Sequence, residues 1–514
     1  MCYTDNMIKD RYSRGRFAAA LRYTLCFPCT QSLSTMVHGD GWLSALFTFP
    51  APQGEGMTTK GRGGIMYHFN PQEDIQTKYI VFAGPGGSGK TSAACAAAVS
   101  LADHGHRTLF IGTDAISHLS ELFDMQLTTP TTTVPQIPKL DIMAIDPLQD
   151  FEHVFLQLEQ FLMNPKNRFR YSYVIADIWD TEWMLQELRS PLFSDHHELM
   201  DVLTDPSQTS AFLVSRPLTT EFCKTAQAVQ RLRSIGITNL LLLVNSLALR
   251  DDGAAARIIY QLQQKAIAAM PAILYELPAR QIPMRSYSIS NTSSVRSSLR
   301  EDYFTSSPER IDASEPRQLQ DIVHSIQTNN RKLVIILGSS GSGKSTLARN
   351  LARRLSHQNK RVHLYSSSNM PLKYLLSDNL VAFHELLEQP NTVVILDYSA
   401  KEYALGGMRR DGKKITTAQH LLPQIQLMLS DVTEIIMVTT PEKEPATQAM
   451  RMQNFLQHLG ICIDYWVVNQ SIYPMKPDSS LLKAKASFEI PWINEICRRS
   501  NGRFVLVPWE DHAG

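Results

Sequence analysis

The stretch YIVFAGPGGSGKTSAACAAAVSLADHG, residues 79–105, decides the fold of this chain. Its five apolar residues at 79–83 predict a buried strand, and the small residues after position 91 predict a helix. The loop between them fits the pattern GxxxxGK[ST]. A strand, a glycine-rich loop and a helix in this order are typical of a phosphate-binding loop; the alternative is a glycine-rich turn that matches by accident.

The residue types of this loop suit phosphate chemistry. Glycines let backbone N–H groups converge on phosphate oxygens, and the start of the helix favours negative charge. Lys90 would reach the β- and γ-phosphates, and the Thr91 hydroxyl would ligate Mg²⁺. The predicted ATP-binding residues of the first loop are Gly84, Gly86, Gly87, Ser88, Gly89, Lys90, Thr91 and Ser92.

A second loop of the same pattern follows the apolar segment KLVIIL and precedes TLARNLARRLS. Lys344 and Ser345 take the places of the lysine and the threonine of the first loop. The predicted ATP-binding residues of the second loop are Gly338, Gly341, Ser342, Gly343, Lys344, Ser345 and Thr346.

The two loops belong to a longer internal repeat. Lys90 recurs as Lys344 at an offset of 254, and the strand-end Asp177 recurs as Asp397 at an offset of 220. Asn245, at the end of an apolar strand, recurs as Asn469 at an offset of 224. Duplication, followed by loss of about 34 residues between the first two landmarks of the second copy, explains these offsets.

Carboxylates stand where each copy would need them for a metal ion. Asp177 and Asp397 end the strands YVIAD and VVILD, from which a carboxylate could hold Mg²⁺ together with Thr91 or Ser345. Asp114 follows another strand and could accept a hydrogen bond from an attacking water. For all three the alternative is an aspartate that caps a following helix.

Composition narrows the class of protein. The 514 residues carry 50 lysines and arginines against 49 acidic residues, which argues against a strongly basic nucleic-acid binder. No apolar run reaches the length of a membrane span. Seven cysteines, an odd number, indicate a reducing compartment and no disulfide framework, so we expect a cytoplasmic protein.

Apolar strands that alternate with amphipathic segments predict an α/β fold with two mostly parallel sheets covered by helices. We expect an N-terminal extension over 1–76, a first phosphate-loop domain over 77–285, a linker over 286–329 and a shorter second domain over 330–514. The extension lacks sustained periodicity, which favours disorder, and Met57 is an alternative start.

The segments around the loops resemble the arsenical pump-driving ATPase (ArsA) family, a group related to the targeting ATPase for tail-anchored proteins and to MinD and ParA. RTLFIGTDAISHLSELFD resembles its switch I, LDIMAIDP its short strand signature, and DIWDTEWMLQELRSP its switch II. The segments that end in LLLLVN and DYWVVN resemble two copies of a further strand. This resemblance covers about 77–285 and 330–509.

The resemblance implies an architecture and site roles. Two phosphate-loop halves would face each other as a pseudo-dimer within one chain, with ATP and Mg²⁺ near the interface. Asp114 would orient the attacking water, Asp177 would be the switch II aspartate, and Asn245 and Asn469 would read the adenine base.

The sequence departs from the family at positions that bear on catalysis. The family's additional loop lysine is replaced by Pro85 and Ser339, which removes a cation from each site. Glu182 and Trp183 replace the Gly-His of switch II, and the second copy has Ser368 or Asn369 where Asp114 should recur. We expect slow hydrolysis, mostly in the first copy. A basic loop that contains Arg409, Arg410, Lys413 and Lys414 either replaces the missing cation or is a solvated surface loop.

The cysteines do not predict a metalloid site. Cys95, Cys223, Cys462 and Cys497 lie in predicted helices or strands, which favours buried thiols. The amphipathic segment FEHVFLQLEQFLM at 151–163 is interpreted as a core helix, since it is short for a groove that binds a client helix.

We therefore expect an ATPase in which nucleotide-driven closure of two halves is coupled to a partner. The partner would be a membrane anion or metalloid pump, or a client protein, with no role for nucleic acid. The chain would be peripheral to the membrane through that partner. The alternative is a nucleotide-switched targeting or scaffold protein with little turnover; a small-molecule kinase would not explain the tandem pattern.

Overall fold

The structure is a computed structural model, and it describes residues 66–112, 116–127, 131–144, 158–180, 197–248, 253–299, 316–339, 341–366, 385–397 and 431–509. Within these residues the strands form two separate sheets, one of nine strands and one of six. The predicted α/β class with two mostly parallel sheets is confirmed.

The first sheet has the order β1-β9-β8-β7-β2-β6-β3-β5-β4. Every neighbouring pair is parallel except β4 and β5. Its strands are β1 (Tyr67–His68), β2 (Tyr79–Gly84), β3 (Thr108–Gly112), β4 (Thr132–Thr133), β5 (Leu140–Ala144), β6 (Tyr173–Asp180), β7 (Thr209–Ser215), β8 (Leu240–Leu247) and β9 (Ala279–Pro283).

Helices cover both faces of this sheet, because its central strands are apolar on both sides and need two cores. One core contains Val81, Leu213 and Leu242, and the other contains Phe82, Phe110 and Phe212. The helices are α1 (Pro71–Asp74), α2 (Lys90–Asp103), α3 (Ile116–Phe123), α4 (Pro165–Arg168), α5 (His197–Thr204), α6 (Thr219–Ser234), α7 (Ala254–Ala268), α8 (Ala272–Tyr275) and α9 (Thr292–Ser297).

The second sheet has the order β11-β12-β10-β13-β14-β15 and is parallel throughout. Its strands are β10 (Leu333–Gly338), β11 (Arg361–Ser366), β12 (Thr392–Asp397), β13 (Thr433–Thr439), β14 (Tyr465–Ser471) and β15 (Phe504–Pro508). The accompanying helices are α10 (Leu319–Thr328), α11 (Lys344–His357), α12 (Lys443–His458) and α13 (Ser480–Arg499), with a 3₁₀ turn at Tyr473–Met475.

The duplication predicted from the landmark offsets is confirmed by the strand orders. The order β3-β6-β2-β7-β8-β9 in the first sheet matches β11-β12-β10-β13-β14-β15 in the second, strand for strand. The first sheet carries β4 and β5 between β3 and β6 in the chain, whereas the residues described between β11 and β12 hold no strand. This is the interval in which the second copy is shorter.

Residues at both ends of the first half also join its core. β1 pairs with β9, and Phe69 and Ile75 beside it are buried. Helix α9 lies in the stretch expected as a linker, yet it packs on α2, where Arg296 Nε bonds to Asp103 Oδ2 at 2.8 Å. The domain limits as a whole stay a prediction.

The two halves share an apolar contact. Ala248, Ile259 and Met284 from the first half pack with Ile472 and Leu482 from the second. Beside this cluster, the Ala254 N–H at the start of α7 donates to Asp478 Oδ2 at 3.0 Å, so a carboxylate of one half caps a helix of the other. None of the described helices combines the length and apolar character that crossing a bilayer requires.

Candidate nucleotide-binding sites

The first predicted loop lies at the carboxyl end of β2, in the middle of the first sheet. Gly84 has φ +145°, and a Cβ there would collide with the Val214 carbonyl of β7. Gly89, the residue before α2, has φ +88°, and a Cβ there would meet the Asn245 side chain. Both glycines are therefore required by backbone angle and by close approach, as a loop that wraps a phosphate demands.

The second loop repeats this geometry after β10. Gly338 has φ +152° and lies against the Val438 carbonyl, and Gly343 has φ +90° and lies against Asn469. The hydroxyls of Ser88 and Ser342, at equivalent positions, are buried and have no hydrogen-bond partner among the described residues. Buried unpartnered polar atoms inside a glycine cradle are what a phosphate-binding loop presents, so these residues fit a nucleotide.

The two loop lysines take the same position. Lys90 Nζ donates to the Pro85 carbonyl at 3.1 Å, and Lys344 Nζ donates to the Ser339 carbonyl at 2.6 Å. Each ammonium group is thus held over its own loop. Ser92 and Thr346, the other predicted residues at the helix starts, are partly buried in the first turns of α2 and α11.

The residues predicted to ligate Mg²⁺ come together in both halves. The Thr91 hydroxyl donates to Asp177 Oδ2, and the Ser345 hydroxyl donates to Asp397 Oδ2. Both carboxylates are at most 5% exposed, because β6 and β12 each lie directly beside the strand that leads into the loop. A hydroxyl paired with a carboxylate beside the loop lysine is an oxygen-only set that suits Mg²⁺.

The two predicted base-reading asparagines lie beneath the loops. Asn245 Nδ2 donates to the Ser88 carbonyl at 2.8 Å, and Asn469 Nδ2 donates to the Ser342 carbonyl at 2.9 Å. The next residues, Ser246 and Gln470, have φ +60° and +61°. Left-handed backbone at non-glycine residues is strained and is found at functional sites. The asparagine side chains therefore support the loops; their role toward a base stays a prediction.

The loops also touch each other. A Cβ built on Gly341 would lie 2.5 Å from the Gly87 Cα and 2.8 Å from the Gly86 carbonyl oxygen. Gly87 and Gly341 occupy the same position in the two loops. Contact between equivalent residues is what a pseudo-two-fold relation between the halves requires.

Several predicted residues lie outside the described part of the chain. They are Asp114, Glu182, Trp183, Ser368, Asn369, Arg409, Arg410, Lys413 and Lys414. The amphipathic segment at 151–163 is described only from residue 158, where it is helical and buries Leu158 and Leu162.

The expectation of buried thiols is confirmed for Cys95, which lies inside α2, and is wrong for Cys223 and Cys462, which are exposed. Cys497 is only partly buried. Cys223 lies on the solvent-facing side of α6, and Cys462 lies in the turn before β14, so local helix or strand patterns did not report burial. In the described ranges no group of three His, Cys, Asp or Glu residues is arranged to hold a metal ion.

One cross-domain feature was missed by the sequence analysis. Arg216, directly after β7, forms an ion pair with Glu221 and donates to Gln470 Oε1 of the second half at 2.7 Å. Glu442 of the second half interacts electrostatically with the same arginine. In the sequence this feature is visible only as a lone arginine at a strand end. Its contact with the second half depends on the fold, which brings Arg216 close to Gln470.

Two mostly parallel sheets that share one order of six strands, each with a glycine-rich loop of the phosphate-binding pattern after its β2 or β10 strand, define a tandem P-loop nucleoside triphosphatase fold. Residues 77–170 match the family model described as Anion-transporting ATPase, ArsA_ATPase. Residues 315–443 match another NTPase family model, described as Novel STAND NTPase 3.

Similar proteins extend the match along the chain. An "Arsenical pump-driving ATPase" of Acidiphilium multivorum is 23% identical over 84% of this chain and 96% of its own length, and one of Escherichia coli matches to the same extent. "ATPase GET3C" of Arabidopsis thaliana is 32% identical over 24% of this chain and 29% of its own length. The chain is therefore related to the ArsA ATPases, and the predicted resemblance is confirmed.

Proposed function

We propose that this protein binds and hydrolyses ATP, and that closure of its two halves on nucleotide is coupled to a partner protein. The observation that carries the proposal is the contact between Gly87 and Gly341, at which the two glycine-rich loops meet. Relatives that are named ATPases over 84% of the chain support ATPase activity at the level of the family.

The residues of the first half divide the work in this proposal. The loop amides and Lys90 bind the phosphates, and Thr91 and Asp177 hold Mg²⁺, which would offset negative charge on the phosphate oxygens. Lys90 already lies over the loop, at 3.1 Å from the Pro85 carbonyl, so a phosphate oxygen would replace that carbonyl as its partner. Asp114 would orient the water.

The second half binds nucleotide but contributes less to turnover. Its loop, its Lys344 and its Ser345–Asp397 pair reproduce the first site. Yet Ser368 or Asn369 stands where a second water-orienting aspartate would be needed. A site that binds ATP without hydrolysing it would hold the halves together while the first site turns over.

The partner is proposed from the names of the relatives. Those that match over most of the chain are called arsenical pump-driving ATPases, which favours a membrane anion pump as the coupled protein. A shorter match to "ATPase GET3C" keeps a client protein as the other possibility. The proposal does not include coupling to a metalloid, since Cys95 is buried inside α2 whereas Cys223 is exposed on α6.

A second candidate function is a nucleotide-switched scaffold with little turnover. The observation that favours it is the replacement of the family's additional loop lysine by Pro85 and Ser339. With one cation removed per site, the transition state loses stabilisation that is commonly worth a factor of about 10² to 10³ in rate.

ATP turnover with Mg²⁺ tests the proposal. The full chain would be compared with Lys90→Ala, Lys344→Ala and Asp114→Asn, with and without antimonite, and with Lys224→Ala as a surface control. We expect turnover to disappear in Lys90→Ala and Asp114→Asn and to persist in part in Lys344→Ala. Tight ATP binding without turnover in the unaltered protein would favour the scaffold. Stimulation by antimonite would restore metalloid coupling.

A further inference from the structure

The sheet edge opposite the first phosphate loop collects positive charge from four strands. β2, β6, β3 and β5 are adjacent and parallel, so their amino ends meet at one edge. The segments that lead into them, 76–78, 104–107, 134–139 and 164–172, contain no aspartate or glutamate. They carry six cationic residues, which we call the basic edge: Lys78, Arg107, Lys139, Lys166, Arg168 and Arg170.

Hydrogen bonds join these segments into one surface. Lys78 Nζ donates to the Arg168 carbonyl, and the Ser172 N–H donates to the Arg107 carbonyl at 2.8 Å. Lys139 Nζ donates to the Gly105 carbonyl at 2.5 Å. The ammonium groups of Lys78 and Lys139 thus bond to backbone oxygens, and within the described residues neither forms an ion pair with a carboxylate.

Among the described residues of these four strands and the segments that lead into them, one carboxylate lies within the basic edge. Asp141 on β5 is 1% exposed and accepts hydrogen bonds from Arg107, Arg170 and Tyr171. Burial favours a higher pKa for Asp141, but hydrogen bonds from Thr133, Arg107 and Tyr171 outweigh it and hold the pKa below its ordinary value. A single charge shared by two arginines leaves the edge strongly positive. Burial and the charge of Arg168 lower the pKa of Lys78, as expected where cations crowd together.

A phenylalanine projects from the middle of these cations. Phe169 is 85% exposed, about twice as much as Phe455, the next phenylalanine among the exposed large apolar residues of the described chain. It follows α4, whose start is capped by Asn164, and Asn167 Nδ2 bonds to the Phe161 carbonyl at 3.0 Å. These bonds hold the turn that presents Phe169, whose neighbours in the chain are Arg168 and Arg170, and its ring is exposed to solvent.

We propose that the basic edge binds an anionic lipid surface, with the Phe169 ring inserted among the headgroups. Lysines and arginines near such a surface are each attracted to it, and an aromatic side chain is stabilised at the boundary of headgroups and acyl chains. The surface differs from a protein interface, which has an apolar core of several residues, because Phe169 is the one exposed large apolar residue of the described chain that lies among these cations.

Lipid binding at this edge leaves the nucleotide sites accessible. β2 is six residues long, so the phosphate loop lies about 20 Å from the basic edge, at the opposite end of the same strand. The first half could therefore rest on a membrane while both loops face away from it. Binding of lipid at the basic edge does not require ATP hydrolysis, so it can be measured without nucleotide.

Sedimentation with vesicles tests it. The full chain would be mixed with vesicles of phosphatidylcholine alone, or of phosphatidylcholine with phosphatidylglycerol, at low and high salt. We expect binding to the mixed vesicles only, and release at high salt. The double charge reversal Lys166→Glu/Arg168→Glu should weaken binding at least tenfold, and Phe169→Ala should weaken it several-fold. Circular dichroism would confirm that each variant is folded.

Matched controls separate this surface from total charge and exposed apolar area. Lys224→Glu/Lys265→Glu changes the net charge equally on the exposed sides of α6 and α7, and Phe455→Ala removes an exposed ring from the second half. Both should bind as the unaltered protein does. On anionic vesicles the emission of Phe169→Trp should shift to shorter wavelength by more than that of the unaltered chain, which already contains six tryptophans.

Three results would overturn the proposal. The first is equal binding of the charge-reversed variant and its control to anionic vesicles. The second is an unchanged emission of Phe169→Trp in their presence. The third is binding of a polyuridylate strand, but not of vesicles, in a way that Lys166→Glu/Arg168→Glu abolishes; the basic edge would then bind nucleic acid.

Discussion

Arg216 of the first half and Gln470 of the second half are joined by a hydrogen bond of 2.7 Å between Nη1 and Oε1. Each of the two residues lies close in the chain to a residue that contacts the glycine-rich loop of its own half. Arg216 follows β7, whose Val214 carbonyl abuts Gly84, and Gln470 follows Asn469, which holds the Ser342 carbonyl. The pseudo-two-fold relation does not repeat this bond. Thr440 of the second half takes the position of Arg216, and Ser246 of the first half takes the position of Gln470.

We predict that Gln470→Asn uncouples the two nucleotide sites. Asparagine tolerates the left-handed backbone at this position, with φ +61°, but its shorter side chain cannot reach Arg216. Arg216 would remain paired with Glu221, so no buried charge is left alone. With Gln470 present, the substitution Lys90→Ala should change the ATP affinity of the second loop several-fold. In a chain that also carries Gln470→Asn, Lys90→Ala should leave that affinity unchanged.

Isothermal titration of the four proteins in this cycle measures that coupling. Gln457→Asn, at an exposed position on α12, is the control and should leave the coupling intact. If the affinity change on Lys90→Ala is the same with and without Gln470, the contact does not transmit between the sites.

Gly87→Ala and Gly341→Ala should both be severely destabilising and should abolish ATP binding. Both residues have φ +78°, and a Cβ on Gly87 would lie 2.7 Å from the Gly341 Cα. The loops would have to separate, in addition to the strain of about 1–2 kcal/mol from the backbone angle. Gly460→Ala separates the two effects, because Gly460 has φ +77° and open space around it.

Chemical denaturation and nucleotide titration would be measured for all three variants. We expect Gly460→Ala to bind ATP normally and to lose only about 1–2 kcal/mol of stability. Equal losses in the three variants would mean that the contact between the loops adds nothing to the cost of the backbone angle.

Much of the fold could be predicted from the sequence because its signals are local. Apolar strands followed by glycine loops and helices gave the α/β class, and the offsets of Lys344, Asp397 and Asn469 gave the duplication. The pairing of Thr91 with Asp177 follows from the adjacent parallel strands β2 and β6, which parallel sheets make common. The prediction that Asp177 ends its strand was wrong, since β6 continues to Asp180.

The contacts between the halves could not be predicted, since they depend on distant segments meeting in space. Nothing near Gly341 indicates that it touches Gly87, and nothing near Asp478 indicates that it caps α7. The basic edge was missed for the same reason: its cations are spread over four segments between residues 78 and 170 and meet only when the strands align.

We predict unequal effects when the two buried carboxylates beside the loops are neutralised. Asp177→Asn should lower ATP turnover by roughly hundredfold, since it weakens charge stabilisation at the site that we propose to hydrolyse ATP. Asp397→Asn should lower ATP affinity at the second loop while turnover falls only a few-fold. Steady-state kinetics and nucleotide titration distinguish them. Equal loss of turnover would show that both halves hydrolyse ATP.

We predict that Glu489 makes the stability of the second half depend on pH. It lies on α13, and its carboxylate accepts hydrogen bonds from the Ser471 hydroxyl at 2.7 Å and from the Ile472 N–H at 3.0 Å. Burial raises its pKa from 4.5 to about 7, against the opposing effects of Lys485 and of these donors. The folded state therefore binds a proton that the unfolded state has released between pH 4.5 and 7, and stability falls as pH rises through that window.

This group should cost the second half about 3 kcal/mol of stability between pH 4.5 and 7. In the first half a neutral side chain hydrogen-bonds to the backbone at the end of the equivalent strand. Gln263 accepts from the Ala248 N–H at 2.7 Å and donates to the Ser246 carbonyl at 3.0 Å. Glu489→Gln should therefore flatten the pH dependence of unfolding. Glu495→Gln, on the same helix but paired with Arg498 and Arg499, should not. The free energy of unfolding, measured with denaturant at pH 5 and pH 8, tests this prediction. An equal difference in that free energy between wild type and Glu489→Gln at both pH values would mean that another group causes the pH dependence.

The same carboxylate should also affect nucleotide binding, because Ile472 and Tyr473, whose N–H groups it accepts, follow Asn469 in the chain. We expect nucleotide at the second loop to bind more weakly at pH 8 than at pH 6, and Glu489→Gln to remove that difference.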